Sequence, residues 1–476
     1  MSTSEPGPPR RFLRVSIRGL MLLVLLIGAP LGWIVHRAHV QRDAVAAIVR
    51  AGGFVRYDRQ YRDGKAVNAP LLTPGWMAEW VGVDYLDTVT MAACRPATVD
   101  ADLVHVGGLS RLELLALDRT AVTDAGLEYL KGLHRLRRLY LTQTPVTSRG
   151  LVYLKGMTDL WVLNLGATKV DGAGMEHLRG LTKLEHLILS GTQVDDAGLA
   201  HLKGLTGLTT LHLMDTPVTD AGLAHLQGMK NLTTLGLSKT SVTDAGLVNL
   251  QGMNKLQTLE LRETAVADLA PLQQLPALHT LFLDSTRVTD AGLANLHGMS
   301  GLTELALSNT AVTDAGLASL KGMTGLTRLY LSKTAVTDAG LAHLGVLSGL
   351  ASLDVSETQI RGAGLVDLKR LRGLKSLNLH GTKLDDASLA HLDALTGLQR
   401  LSLADTPITD AGLVHLAGPA SLSLLDLSNT PVVTDEGVSR LQTALPRLRI
   451  LRKTPRRREA AVAPSSPSTP RPEPSP

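Results

Sequence analysis

Residues 235–253 read LGLSKTSVTDAGLVNLQGM, and the phrase returns as LALSNTAVTDAGLASLKGM at 305–323 and LYLSKTAVTDAGLAHLGVL at 329–347. Internal repetition of this kind decides the architecture and is read before local detail. One threonine marks each copy. Thr120, Thr144, Thr168, Thr192, Thr216, Thr240 and Thr264 stand 24 residues apart, Thr286 follows after 22, and the 24-residue step resumes from Thr310 to Thr430, making fourteen copies. Each threonine follows a Leu-x-x-Leu-x-Leu frame, such as Leu136, Leu139 and Leu141. Each precedes a Val-Thr-Asp-Ala-Gly-Leu run, or a variant of it, that leads into a second apolar cluster such as Leu223, Leu226 and Met229.

Two periodicities share this unit. Alternation in Leu-x-Leu predicts a strand with one face buried, and apolar residues at i, i+3 and i+6 predict a short helix. The Thr-Asp pair ahead of the helix is suited to capping it, because side-chain oxygens can accept the first unpaired N–H groups. Gly132, Gly156, Gly180, Gly204, Gly228, Gly252, Gly298 and Gly322 follow the helix, where a left-handed residue costs little without a Cβ. No single unit can bury its leucines, but stacked units pair their strands and enclose one leucine spine, giving a curved solenoid. Aromatic residues are 3% of the chain, so leucine must fill the core.

The frame resembles the leucine-rich repeat, and its Thr-Asp-Ala-Gly-Leu half is similar to the cysteine-containing and bacterial subclasses, with threonine where that family usually has Asn or Cys. The resemblance covers about residues 97 to 451. It implies an α/β fold, a horseshoe with a concave parallel β-sheet and short convex helices, in which each marker threonine bonds to backbone in an adjacent coil. Residues 265–285, AVADLAPLQQLPALHTLFLDS, depart from the pattern and resemble the 22-residue internalin-like repeat. Pro271 and two missing residues leave little room there for a regular helix.

The ends differ from the array. After Arg10, Arg11, Arg14 and Arg18 comes GLMLLVLLIGAPLGWIV, residues 19–35, an uncharged run of 17. At 1.5 Å per residue it covers about 25 Å against a hydrocarbon core of about 30 Å. A single transmembrane signal anchor is expected at 19–36. The rival reading is a cleaved leader, whose nearest Ala-x-Ala candidate, residues 44–46, lies beyond Arg37, Arg42 and Asp43. The four arginines before the span favour a cytoplasmic basic stub at 1–18 and repeats outside the cytoplasm. Residues 37–96 read as an N-terminal cap: Val40, Ala44, Ala47 and Ile48 suit a helix, GGFVRYDRQY a break and a strand, and PGWMAEWVG a short helix after Pro74. The repeat domain is expected at 97–453. Residues 454–476, rich in Pro and Ser, are expected to be disordered.

Formal charge is +5, yet Arg10 to Arg18 contribute four basic residues and Arg447 to Arg458 seven, with no acid in either segment. Taking those eleven away leaves −6 for the rest, which does not suit nucleic-acid binding, since that rests on neutralising phosphates. Cys94 is the one cysteine, so no internal disulfide can form. No nucleophile elbow, phosphate loop or His-Glu metal motif occurs. His177, His201 and His225, and again His391 and His415, share one helix position, which fits surface wording of the repeat better than a metal site. No cofactor, metal or small-molecule substrate is expected, and the chain reads as no enzyme.

What remains is a non-catalytic binding module. Its family resemblance implies a protein partner on the concave face, with membrane contact through residues 19–35. A membrane-tethered cytosolic adaptor and an envelope spacer are the alternatives. Within the repeats, the outward position between the last two frame leucines carries the aromatics Tyr140, Phe282 and Tyr330, with Arg138 and Arg328 two residues before two of them and on the same strand face. Aromatic and arginine neighbours are the usual composition of binding hot spots, so these five are the candidate partner contacts.

Overall fold

The computed structural model describes residues 17–58, 61–62, 65–66, 84 and 87–452. It falls into two compact units, Met1–Ala265 with Gln274–Leu278, and Val266–Gln273 with His279–Pro476. In the first, eight short parallel strands follow one another in chain order: Val89–Ala93, Leu114–Ala116, Arg138–Tyr140, Val162–Asn164, His186–Ile188, Thr210–His212, Thr234–Gly236 and Thr258–Glu260. In the second, eight more run from Thr280–Phe282 to Arg449–Leu451 in the same parallel order. Register is simple throughout. Residues one repeat apart face each other, as Leu211, Leu235 and Leu259 do.

The leucines go inside as the frame requires: Leu136, Leu139, Leu141, Leu223, Leu226, Met229 and Leu235 are all fully buried. The i, i+3, i+6 cluster suits a tighter helix than the α-helix. Accordingly, Asp220–Leu223 is α-helical and Ala224–Leu226 continues as 3₁₀, with its three residues per turn. The irregular repeat has a 3₁₀ segment alone, Ala270–Gln274, as do four regular repeats at Gly150–Leu154, Gly172–Leu178, Ala363–Arg370 and Ala387–Ala394.

Three expectations about the repeat need correction. First, all fourteen marker threonines are buried, but each hydroxyl donates to the carbonyl three residues earlier in its own turn, at 2.5–2.7 Å, and not to an adjacent coil. Second, the left-handed backbone is located elsewhere. Of the eight glycines after the helices, only Gly252 and Gly298 have positive φ, whereas the residue just before every marker threonine has φ between 53° and 69°, twelve times in a non-glycine residue such as Arg119 or Lys239. That conformation costs about 1–2 kcal/mol in an L-residue. It turns the chain off the strand, and the N–H of that residue then reaches the next repeat, as Lys239 does to the Arg262 carbonyl at 2.8 Å.

Third, the Thr-Asp pair divides its work. The threonine caps its own helix: at Thr123, Thr219, Thr243, Thr313, Thr337 and Thr409 the hydroxyl accepts the N–H two residues on. The aspartate looks to its neighbour. Asp196 accepts from the Thr219 N–H at 2.8 Å and the Thr219 hydroxyl at 2.6 Å, and Asp100, Asp124, Asp220, Asp290, Asp314, Asp386 and Asp410 do the same one repeat on. This explains the glycine of the motif. A Cβ on Gly222 would stand 2.3 Å from Asp196 Oδ1, so a side chain there would displace the carboxylate.

At the N-terminal end one helix, α1 (Ile17–Arg50), has Pro30 inside it. Its second half is anchored: Ala38, Ala44, Ala47 and Ile48 are buried, Arg37 donates to the Thr88 hydroxyl, and Gln41 bonds to the Asp87 carbonyl and the Val89 N–H. The strand Phe54–Tyr57 pairs antiparallel with Val89–Ala93. In the first half Met21, Leu22, Leu25, Leu26, Ile27 and Trp33 are exposed. Among the described residues no helix is long and apolar enough to cross a membrane. The anchor expected at 19–36 is therefore not supported, and neither is the sidedness inferred from it. The apolar run is short for a hydrocarbon core, and the turns that would lengthen it carry Arg37, Arg42 and Asp43 and belong to the packed half. The helix expected after Pro74, the basic stub up to residue 16 and the tail from 454 lie outside the described residues.

Candidate binding face

Strand pleating sends the frame leucines inward and leaves the residues between them outward, so the open face of the sheet is a ladder of positions the core does not constrain. In the first unit Arg138 and Tyr140 occupy one strand of this face, and both are half-buried. The Arg138 guanidinium stacks over the ring of Trp161 at 4.6 Å, and His186 meets that ring edge-on at a centroid distance of 6.4 Å. Arg137 pairs with Glu113 at 3.7 Å, and Lys183 with Asp159 at 2.6 Å. The Asp159 carboxyl is held below its ordinary value chiefly by the hydrogen bond from Lys183. Two open cavities flank these strands. One, of about 600 Å³, is lined by Arg137, Asp159, Trp161, Lys183 and Glu185 among others, and the second, of about 490 Å³, by Arg95, Asp118, Arg119, Tyr140, Thr142 and Asn164 among others.

In the second unit parallel register puts Phe282, Ala306 and Tyr330 side by side, and Glu304 beside Arg328. Ala306 is only 2% exposed, as expected where a ring stands on either side of it. Arg328 donates to Glu304 at 2.6 Å, so part of its charge is already engaged across the strands. Burial, then the Glu304 carboxylate, raises the Tyr330 phenol above its ordinary value. The five candidate residues thus fall into two groups, Arg138 with Tyr140 and Phe282 with Arg328 and Tyr330. The three aromatics are half-buried on the face instead of standing clear of it. Trp161 is not legible in the repeat pattern because it precedes its strand and falls outside the outward position between the frame leucines. The signal was its size in a chain with four tryptophans.

The stacked histidines bring no site together. His177 lies 3.5 Å from Glu176, His201 contacts Arg179, and among the described residues no three His, Cys, Asp or Glu side chains gather as a metal site would need. Cys94 is buried, and burial pushes its thiol up to about 11.

The fourteen-copy frame, the parallel one-repeat register and the outward ladder can now be set against known proteins. A family model described as a leucine-rich repeat region matches residues 150–409. The chain belongs to the leucine-rich repeat family. Among solved structures it is similar to an internalin of Listeria monocytogenes, at 26% identity and a TM-score of 0.53, over 62% of this chain and 82% of that one. It also shares its fold with a leucine-rich repeat protein of Leptospira interrogans, at 17% identity and a TM-score of 0.54, over 73% and 91% of the two chains. No curated protein sequence matches it. Leucine-rich repeat proteins typically serve as non-catalytic scaffolds for binding other proteins.

Proposed function

We propose that this leucine-rich repeat protein is a non-catalytic scaffold that holds a protein partner on the concave, open face of its sheet, with residues 37–96 closing the N-terminal end of the array. The observation that carries this reading is a division of labour. Every frame position is fixed by burial, while the outward ladder is free to vary and holds Arg138, Tyr140, Phe282, Arg328 and Tyr330. Half-buried rings and a guanidinium already stacked on an indole lose little further freedom on binding, so more of their contact energy is available as affinity. Large aromatics and arginine are the side chains that dominate protein interfaces.

The test is capture of a partner by the full chain from cell extract, followed by the variant carrying Tyr140→Ala, Phe282→Ala and Tyr330→Ala together. The variant should fold normally by circular dichroism and bind the captured partner more weakly by about 2 kcal/mol or more, roughly thirtyfold. Undiminished binding by the folded variant would remove the aromatic face from the account.

A further inference from the structure

The cavity of about 490 Å³ at the C-terminal ends of the first unit's strands is lined by Cys94, Arg95, Pro96, Asp118, Arg119, Tyr140, Thr142 and Asn164. Its polar groups are mostly donors. Arg95 and Arg119 are exposed, and neither has an ion-pair partner among the described residues. Asp118 is the only carboxylate among the described lining residues, and its Oδ1 already accepts the Thr142 N–H at 3.0 Å. Asn164 Oδ1 takes the Gly166 N–H at 2.9 Å, and the side chain keeps its two amide N–H donors beside one further lone pair. Tyr140 and Thr142 add hydroxyls. Two guanidinium groups, an amide N–H₂ and two hydroxyls around one hollow form an environment for an anion with planar, bidentate acceptors, which is what a carboxylate offers.

The surrounding face adds an aromatic surface. Arg138, two residues before Tyr140 on its strand, stands over Trp161, which lines the neighbouring cavity of about 600 Å³. From the strand Val89–Ala93 to His186–Ile188 there are four strand spacings, about 19 Å, which an extended peptide of about six residues crosses.

We propose that this cavity is a carboxylate-binding subsite, and that the first unit's face takes an acidic, extended segment of the protein partner, with a Glu or Asp side chain between Arg95 and Arg119 and an apolar residue against Trp161. The proposal rests on the scaffold reading above and gives its partner a chemistry. It does not extend to the second unit, where Arg328 is already engaged by Glu304.

Fluorescence anisotropy tests it with the full chain and labelled peptides of about a dozen residues, identical except that their charges are stepped from strongly acidic to strongly basic. The acidic peptides should bind, weakening as salt screens the contact, and the basic ones should not. Arg95→Glu with Arg119→Glu should weaken acidic-peptide binding about tenfold or more. Arg95→Gln with Arg119→Gln should also weaken it if the charge-reversed chain fails to fold. Arg400→Glu, on the second unit's exposed face, should change nothing. Equal binding of acidic and basic peptides, no binding of either, or indifference to both Arg95/Arg119 pairs would overturn the proposal. These failures are separable from failure of the scaffold reading. A partner captured by the wild-type chain and lost by the triple alanine variant would keep the face as a binding surface while these peptide results removed the acidic subsite.

Discussion

Replacing Gly222 with Ala tests whether the repeat's glycine exists to admit the aspartate of the repeat before it. The two Asp196 bonds to Thr219, at 2.8 and 2.6 Å, are charge-assisted but half-exposed, so together they should contribute about 2 kcal/mol, the low end for such pairs. An alanine Cβ at 222 would sit 2.3 Å from Asp196 Oδ1 and 3.1 Å from Leu199 Cδ1. The carboxylate has to leave, and both bonds are lost with it. Against this, Ala gains about 1 kcal/mol over Gly within a helix, so Gly222→Ala should destabilise by about 1 kcal/mol and Asp196→Ala by about 2 kcal/mol. With Asp196 already Ala, the same glycine substitution should be neutral or stabilising by up to about 1 kcal/mol, a coupling of about 2 kcal/mol across the cycle. Urea midpoints by circular dichroism read this, with hydrogen exchange at Thr219 as a local check, since repeat arrays need not unfold in one step. If Gly222→Ala costs the same with and without Asp196, the glycine is small for some other reason and the reasoning fails.

Leu235→Ala should cost about 2–5 kcal/mol because it empties a fully buried place in the spine, whereas His225→Ala on the helical side should cost little; equal losses in thermal melts would reverse the inside and outside assignments. Thr240→Val removes the hydroxyl bond to the Leu237 carbonyl while keeping the shape, so it should cost about 1 kcal/mol, and no loss would mean the marker threonine serves by size alone. Cys94 should alkylate slowly at pH 8 in the folded chain and rapidly once urea unfolds it. Because its folded value, about 11, lies above the ordinary 9.0, the folded state holds this proton more tightly than the unfolded chain does. Stability should therefore be level below about pH 9 and fall as pH rises from there towards 11, and a flat profile in wild type and Cys94→Ser alike would contradict the burial argument.

The strand, the short helix and the leucine spine were legible because each follows a periodicity that fourteen copies repeat. What stayed hidden was the connection between copies. Asp196 and Thr219 are 23 residues apart, and no local rule says that a residue suited to capping its own helix will bond to the next one. The left-handed turn escaped notice because twelve of its fourteen occupants are not glycine, so composition gave no sign of it and glycine elsewhere drew attention away. At the candidate face, Tyr140 and Tyr330 could be placed outward from alternation alone. Their half-burial, the Arg328–Glu304 pair and the stack of Arg138 on Trp161 depend on neighbours a repeat away. The apolar run at 19–35 was read by hydropathy, and hydropathy does not register that the same helix continues into packed turns at Ala38 to Ile48.

The central claim is that a partner protein lies on the open face of the sheet. A photo-cross-linking side chain introduced singly at Tyr140, at Tyr330 and at His225, each in the full chain, tests it most directly. On this account the captured partner becomes covalently attached from position 140 or 330 and not from 225. Attachment from 225 alone, or equally from all three, would contradict it.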